Sequence, residues 1–310
     1  MRLSADPGAG PVVLADGIAR YVELFRAQPA APDIETMRLL GDLTAHRFAQ
    51  SHSPDLRRYD TCIAAPGREI AVRVFDPGGA MPRPAICYFH GGGFAFGSVE
   101  SFDIACAALA EATGAVVVSV QYRRLPEADY PAAQDDCDRA FAWIARRAGE
   151  LGIDPARIAV AGDSAGALLA LHCAANARDA GGPVPVCQLL FYGTFAMDPE
   201  RPDYAASQDP LLTGERVRGY IALYRRCGGR SAPIDRDDLS DLAPTVIVAA
   251  EHDPLRGEAE ALGARLGAAV RVAPGMIHGF LRAVGVSADA RSEVARAAAA
   301  VRPFLEGTTQ

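Results

Sequence analysis

Apolar residues recur at two different periods along this chain. Over residues 18 to 50 they return at helical spacing, with Ile18, Val22 and Phe25 on one face and Ile34, Met37, Leu40 and Leu43 on another. Pro29 and Pro32 interrupt the run, so the stretch predicts two amphipathic helices. From about residue 60 the pattern changes to short β-branched runs: Ile70 to Phe75, Ala85 to Phe89, Ala115 to Val120, Arg157 to Ala161, Val186 to Phe191, Thr245 to Ala250 and Ala269 to Ala273. Helical stretches are expected between them, near 101–113, 133–149, 165–180, 256–267 and 286–304. Such alternation predicts an α/β fold, a mostly parallel sheet covered by helices. Pro77 to Pro84 is a turn-rich connector, and no internal repeat is visible.

Composition narrows the function. With 310 residues, half of them apolar, the chain can bury a core large enough for one catalytic domain and a small appendage. A net charge of −7 without a clustered Lys/Arg surface argues against nucleic acid and for a small-molecule substrate. The seven cysteines, Cys62, Cys87, Cys106, Cys137, Cys173, Cys187 and Cys227, are odd in number and lack paired C-x-x-C spacing. They read as small core residues of a protein in a reducing compartment. The first residues lack a basic flank followed by an apolar core, and no uncharged apolar run approaches about 18 residues. The expectation is a cytoplasmic protein, neither exported nor inserted in a membrane.

The first chemical signal is Gly162-Asp163-Ser164-Ala165-Gly166, set between the strand Ile158 to Ala161 and the apolar helix beginning at Ala167. A nucleophile elbow requires this context: a turn so tight that only glycines let strand and helix approach, with the serine hydroxyl projecting from the bend. A plain helix N-cap at Ser164 is the competing reading. Upstream, the strand Ile86 to Phe89 runs into His90-Gly91-Gly92-Gly93-Phe94. Glycines leave backbone amides unshielded, and fixed N–H donors aimed at a tetrahedral oxyanion are worth about 3 kcal/mol each. Gly92, Gly93 and the amide of Ala165 are the candidate donors.

A serine hydroxyl needs a base within hydrogen-bond reach. Of the six histidines, His46 and His52 precede the sheet, His90 belongs to the glycine loop, and His172 lies two turns past Ser164. His252 and His278 remain. Folds built around such an elbow, the α/β-hydrolases, carry serine, acid and histidine in that chain order, the acid and the histidine each on a loop after a late strand, and that order selects Asp253 and His278 over His252. Asp253 could instead be the N-cap of a helix whose first residue is Pro254, and His278 a loop residue satisfied by the backbone. Asp163 reads as a local hydrogen-bonding residue rather than a second acid.

These residues resemble the bacterial hormone-sensitive-lipase-like esterases of the α/β-hydrolase fold. The matching segments are His90-Gly91-Gly92-Gly93-Phe94 with Gly97-Ser98, Tyr122-Arg123 with Pro126-Glu127, Gly162 to Gly166, Asp253-Pro254-Leu255-Arg256 and His278-Gly279-Phe280, in family order over roughly residues 60 to 305. The resemblance implies an eight-stranded, mostly parallel sheet. It also implies a helical cap built from residues 1–50 and an insertion at about 195–230 in the catalytic domain 51–310. It supports Ser164, Asp253 and His278 as catalytic residues and Gly92, Gly93 and Ala165 as the oxyanion hole. His90, Tyr122, Arg123, Pro126 and Glu127 become structural. Similar esterases often dimerise through a sheet edge, although nothing in the residue pattern itself shows a homodimer.

The chain departs from the family pattern at Ala167, where a further glycine is usual, and at Gly193, where proline commonly ends the strand after the elbow helix. A third departure is Gly257, which replaces an aspartate. The expected reaction is ping-pong acyl transfer on short- to medium-chain esters with no metal or organic cofactor. Phe94, Tyr192, Met197, Leu212 and Phe280 are expected to line the pocket. A lactone, carbamate or amide hydrolase with the same triad, and a non-catalytic ligand-binding protein on the same fold, stay open as alternatives.

Overall fold

The computed structural model describes residues 12–48, 52–229 and 239–307. Residues 1–11 and 49–50 of the first expected cap piece, and residue 230 at the end of the second, lie outside the described residues. Helices α1 (Ile18–Arg26) and α2 (Ile34–Ala45) precede β1 (Arg57–Ala65), β2 (Arg68–Asp76) and β3 (Arg83–Phe89). There follow α3 (Asp103–Thr113), β4 (Val116–Val120), α4 (Tyr130–Arg147), β5 (Ile153–Asp163), α5 (Ala165–Asp179) and β6 (Gln188–Phe191). Two helices, α6 (Asp203–Ala206) and α7 (Gly214–Arg226), fall in the expected insertion. The chain closes with β7 (Thr245–Ala250), α8 (Arg256–Leu266), β8 (Val270–Ala273) and α9 (Ala288–Glu306).

The strands form one eight-stranded sheet in the order β1-β2-β4-β3-β5-β6-β7-β8. β1 pairs antiparallel with β2, and β2 with β4, while every pairing from β4 to β8 is parallel. Both faces of the parallel part are covered, because alternate side chains of a strand point to opposite sides. Cys87 and Phe89 of β3 join one core with residues of α4, α5 and α8, and Ile86 and Tyr88 join the other with residues of α3 and α9. Double burial explains why these strands read as continuous apolar runs.

Three local expectations need correction. β1 carried no strand signal, because an edge strand exposed along most of its length shows neither alternation nor an apolar run. Helix α4 starts at Tyr130 rather than near 133, since Pro131 sits in its first turn, where a missing N–H costs nothing. Cys62 is not a core residue: it lies exposed on β1, whereas the other six cysteines are buried, and all seven are free thiols.

The parallel strands place the chemistry at one end of the sheet. Ser164 follows β5, the glycine loop follows β3, and Asp253 and His278 follow β7 and β8. Ligands of open α/β sheets bind beyond these carboxyl ends. Among the described residues no helix is long and apolar enough to cross a membrane.

Candidate active site

Ser164 sits at φ 52°, ψ −120°, a left-handed conformation that costs a non-glycine residue of order 1–3 kcal/mol. The turn is held from both sides: Ser164 N donates to Phe191 O at 2.9 Å, and Ala167 N donates to Ser164 O at 3.1 Å. A side chain at Gly162 would collide with the backbone of Gly166, and one at Gly166 with the backbone of Phe89, so close approach alone requires both glycines. The Ser164 side chain makes no capping bond to α5. Its Oγ lies instead 2.9 Å from Nε2 of His278.

The other ring nitrogen of His278, Nδ1, is 2.7 Å from Oδ2 of Asp253. Asp253 is not the N-cap of α8, which begins at Arg256 with Leu255 in that position, but its Oδ1 accepts from Leu255 N at 2.8 Å in the turn leading into the helix. One oxygen therefore fixes the carboxylate and the other faces the imidazole. His252 points elsewhere, its Nε2 3.0 Å from Val13 O. Burial alone would lower the pKa of His278, but the carboxylates of Asp253, Asp209 and Asp163 outweigh it and the pKa is raised.

Asp209 is the residue that reading the sequence missed. It lies in the insertion, buried, with Oδ2 accepting from the backbone N of His278 at 2.6 Å and Oδ1 accepting from Leu211 N and Leu212 N at 2.8 Å. Burial and the neighbouring charge of Asp253 push its pKa up to about 6. No motif marks an aspartate in a loop far from the triad in sequence.

The glycine loop is braced from beneath. Oδ1 of Asp163 accepts from Gly91 N at 2.8 Å and from the Tyr88 hydroxyl at 2.7 Å, and burial raises the Asp163 pKa to about 6. His90 stacks on Tyr122 with ring centres 4.3 Å apart, and the Tyr122 hydroxyl donates to His90 O at 2.7 Å. Desolvation drives the His90 pKa down to about 3, so its ring is a neutral packing element. The corner after Tyr122 contains a cis Leu125-Pro126 bond, and Glu127 pairs with Arg38 of α2 at 2.8 Å. Gly92 (φ 124°) and Gly93 (φ 59°) adopt left-handed backbone, and neither amide donates to another described residue. Both glycines border the same cavity as Ser164, Ala165 and His278. The ring of Tyr220, from α7, rests where a side chain at Gly93 would project.

That cavity holds about 820 Å³ and lies between the sheet end and residues of α1, α2 and α7. Phe94, Met197 and Leu212 line it as expected from the sequence, but Tyr192 and Phe280 do not. Both are sealed in the core cluster that holds α3 and α9. The Tyr192 ring packs edge-on against the His278 imidazole at 4.9 Å and against Phe280 at 5.1 Å, so the pair backs the imidazole. Gly279, at φ 76°, turns the chain between His278 and Phe280 and sends them to opposite sides. On the apolar face of α2, Met37 and Leu40 border the cavity, and Leu43 is half exposed.

Two of the sequence departures explain each other. A methyl at Gly193 would stand 2.7 Å from Cβ of Ala167, so the extra methyl on the elbow helix occupies room that a larger residue at 193 would need. At Gly257 a side chain would meet the carboxyl carbon of Asp203 at 2.9 Å and Nη2 of Arg201 at 3.1 Å. A carboxylate carried by the insertion thus stands where the family pattern has an aspartate on α8. Among the described residues no cluster of His, Cys, Asp and Glu could hold a metal ion.

Comparison with known proteins agrees with this fold. Residues 86–282 match the family described as alpha/beta hydrolase fold. The chain is 38% identical over 270 residues to carboxylesterase NlhH of Mycobacterium tuberculosis, covering 81% of this chain and 84% of that protein. It is 36% identical over 269 residues to esterase LipI of the same organism, covering 82% and 84%. A solved hyperthermophilic esterase from the archaeon Pyrobaculum calidifontis superposes with a TM-score of 0.85 at 32% identity, over 94% of this chain and 99% of that one.

Proposed function

Because the chain belongs to the hormone-sensitive-lipase-like esterases of the α/β-hydrolase fold and is a serine ester hydrolase, we propose that Ser164, His278 and Asp253 hydrolyse short- to medium-chain acyl esters through an acyl-enzyme. The observation that carries this reading is the continuous pair of contacts, 2.9 Å from Ser164 to His278 and 2.7 Å from His278 to Asp253. Nε2 of His278 takes the serine proton as Oγ attacks the ester carbonyl, and Asp253 holds the tautomer and stabilises the imidazolium. The amides of Gly92, Gly93 and Ala165 receive the oxyanion. The imidazolium returns its proton to the leaving alkoxide. Water then attacks the acyl-enzyme, deprotonated by the same nitrogen, and as the acid leaves the imidazolium returns that proton to Ser164 Oγ.

A cap built from residues 1–50 and about 195–230 over the catalytic part 51–310 is supported, among the described residues, by Tyr21, Phe25, Leu212 and Tyr220, which line the same cavity as Ser164. A roof so near the nucleophile favours short acyl chains. The test is labelling with a fluorophosphonate together with hydrolysis of p-nitrophenyl esters of increasing chain length. Labelling and turnover are expected to vanish in Ser164→Ala, with rates falling toward long chains. Labelling that survives in Ser164→Ala overturns the nucleophile, and faster turnover of sixteen-carbon than four-carbon chains overturns the chain-length preference.

A further inference from the structure

We propose that the cavity takes esters bearing a carboxylate remote from the scissile bond, bound by the free edge of Arg282; the inference rests on the ester-hydrolase reading and names its substrate class. Arg282 lies in the short 3₁₀ turn Phe280–Ala283, four residues past His278, and lines the cavity. Its guanidinium carbon is 5.7 Å from the Phe25 ring centre and 5.5 Å from that of Phe102, so two aromatic rings hold the group. The N–H edge is almost unused. Nη2 donates to Gly41 O at 3.3 Å, Nη1 donates to no described residue, and no described carboxylate forms an ion pair with the group; Nε is shut off from solvent, so the Nη end of the fork is the part open to a ligand. A planar fork held by aromatic rings, its donors unspent, is shaped for the two oxygens of a carboxylate.

Among the described residues, four arginines and two aspartates line the cavity. Arg38, on the same wall, is fully engaged by Glu127 and the carbonyls of Ala95 and Leu125, which is what a structural arginine looks like here. Arg26 and Arg216 stand exposed at the rim, bonded only to the adjacent carbonyls of Pro210 and Leu211 and to no described carboxylate. Of the two acids lining the cavity, Asp42 accepts from the Ser98 hydroxyl at 2.5 Å, and Asp163 is held by Tyr88 and Gly91. Asp163 acts on Arg282 only through space, without an ion pair, so no described carboxylate rests against its N–H edge, and the rim arginines would draw an anionic substrate inward.

The carboxylate could sit on the acyl or on the alcohol part, and two assay arms separate these. In the first, monoethyl esters of dicarboxylic acids are compared with ethyl esters of monocarboxylic acids of equal length. In the second, butyryl esters of ω-hydroxy acids are compared with those of the matching alkanols. In one arm kcat/KM for the charged member should exceed that of the neutral member by about tenfold, and added salt should shrink the ratio. The ratio, taken within each variant, should disappear in Arg282→Met and fall partway in Arg282→Lys, which keeps a charge but not the fork. A wild type that prefers the neutral member in both arms overturns the inference, whatever the variants do, and leaves the esterase reading intact. A ratio unchanged in Arg282→Met overturns it equally. Hydrolysis of no member of either series would overturn the esterase mechanism and this inference with it.

Discussion

The backbone amide of His278 donates to Oδ2 of Asp209 at 2.6 Å, while the imidazole of the same residue meets Asp253 at 2.7 Å. The proposed base is thus gripped at its main chain by the insertion and at its ring by the loop after β7. Asparagine at 209 keeps one acceptor for Leu211 and Leu212 but turns an NH₂ toward the His278 amide. Asp209→Asn should lower kcat about ten- to hundred-fold with less effect on KM, as expected for a displaced catalytic group. Its lost charge also ceases to favour the imidazolium, so the acid limb of kcat/KM should move to lower pH. A loss of stability with an unmoved limb would make Asp209 merely structural.

His278 must be neutral to accept the serine proton. Since surrounding carboxylates raise its pKa, activity in the wild type should rise with pH through a midpoint above the ordinary histidine value. Asp253→Asn should shift that midpoint down and reduce kcat by about 10⁴-fold, because the wrong tautomer is then held. A pH–rate profile of both proteins checks the shift.

Asp163 carries a pKa raised by burial to about 6, against about 3.9 in an unfolded chain. The folded state therefore binds this proton more tightly, and the stability it contributes is full below the unfolded value and lost as pH rises through about 6. Asparagine can retain both bonds that Oδ1 accepts, from Tyr88 and Gly91, without the charge. The Tm of Asp163→Asn relative to wild type should climb between about pH 4 and pH 6 and then level off. A difference flat across that range would contradict the buried charge.

The contact between positions 167 and 193 predicts coupled stability. Gly193→Ala should cost about 1–3 kcal/mol, the range for overpacking a filled core. Adding Ala167→Gly should recover part of that loss, since a Cβ at 193 also meets Phe195. Denaturant unfolding of the single and double variants gives the coupling energy, and strict additivity would remove the link.

The chemistry was more legible in the sequence than its supports. Ser164, Asp253 and His278 stand in motifs whose residue types follow from what each turn must do, and the structure brings them within hydrogen-bond distance. The doubly covered strands announced themselves by apolar runs. β1 did not, because exposure erases the pattern that burial writes. Tyr192 and Phe280 were misplaced for another reason: adjacency to a catalytic residue does not say which side of a turn a ring will take, and both entered the core. Asp209 depends on a contact 69 residues distant along the chain, which no local pattern encodes.

The carboxylate of Asp203 standing at Gly257 bears on exchanging parts between related enzymes. A chimera that replaces the insertion with a relative's would remove Arg201 and Asp203 together and leave a bare glycine on α8. Such grafts should carry their own acid back at position 257, and conversely an aspartate installed there in the present chain must push the ends of Asp203 and Arg201 aside and set a second carboxylate beside that of Asp203.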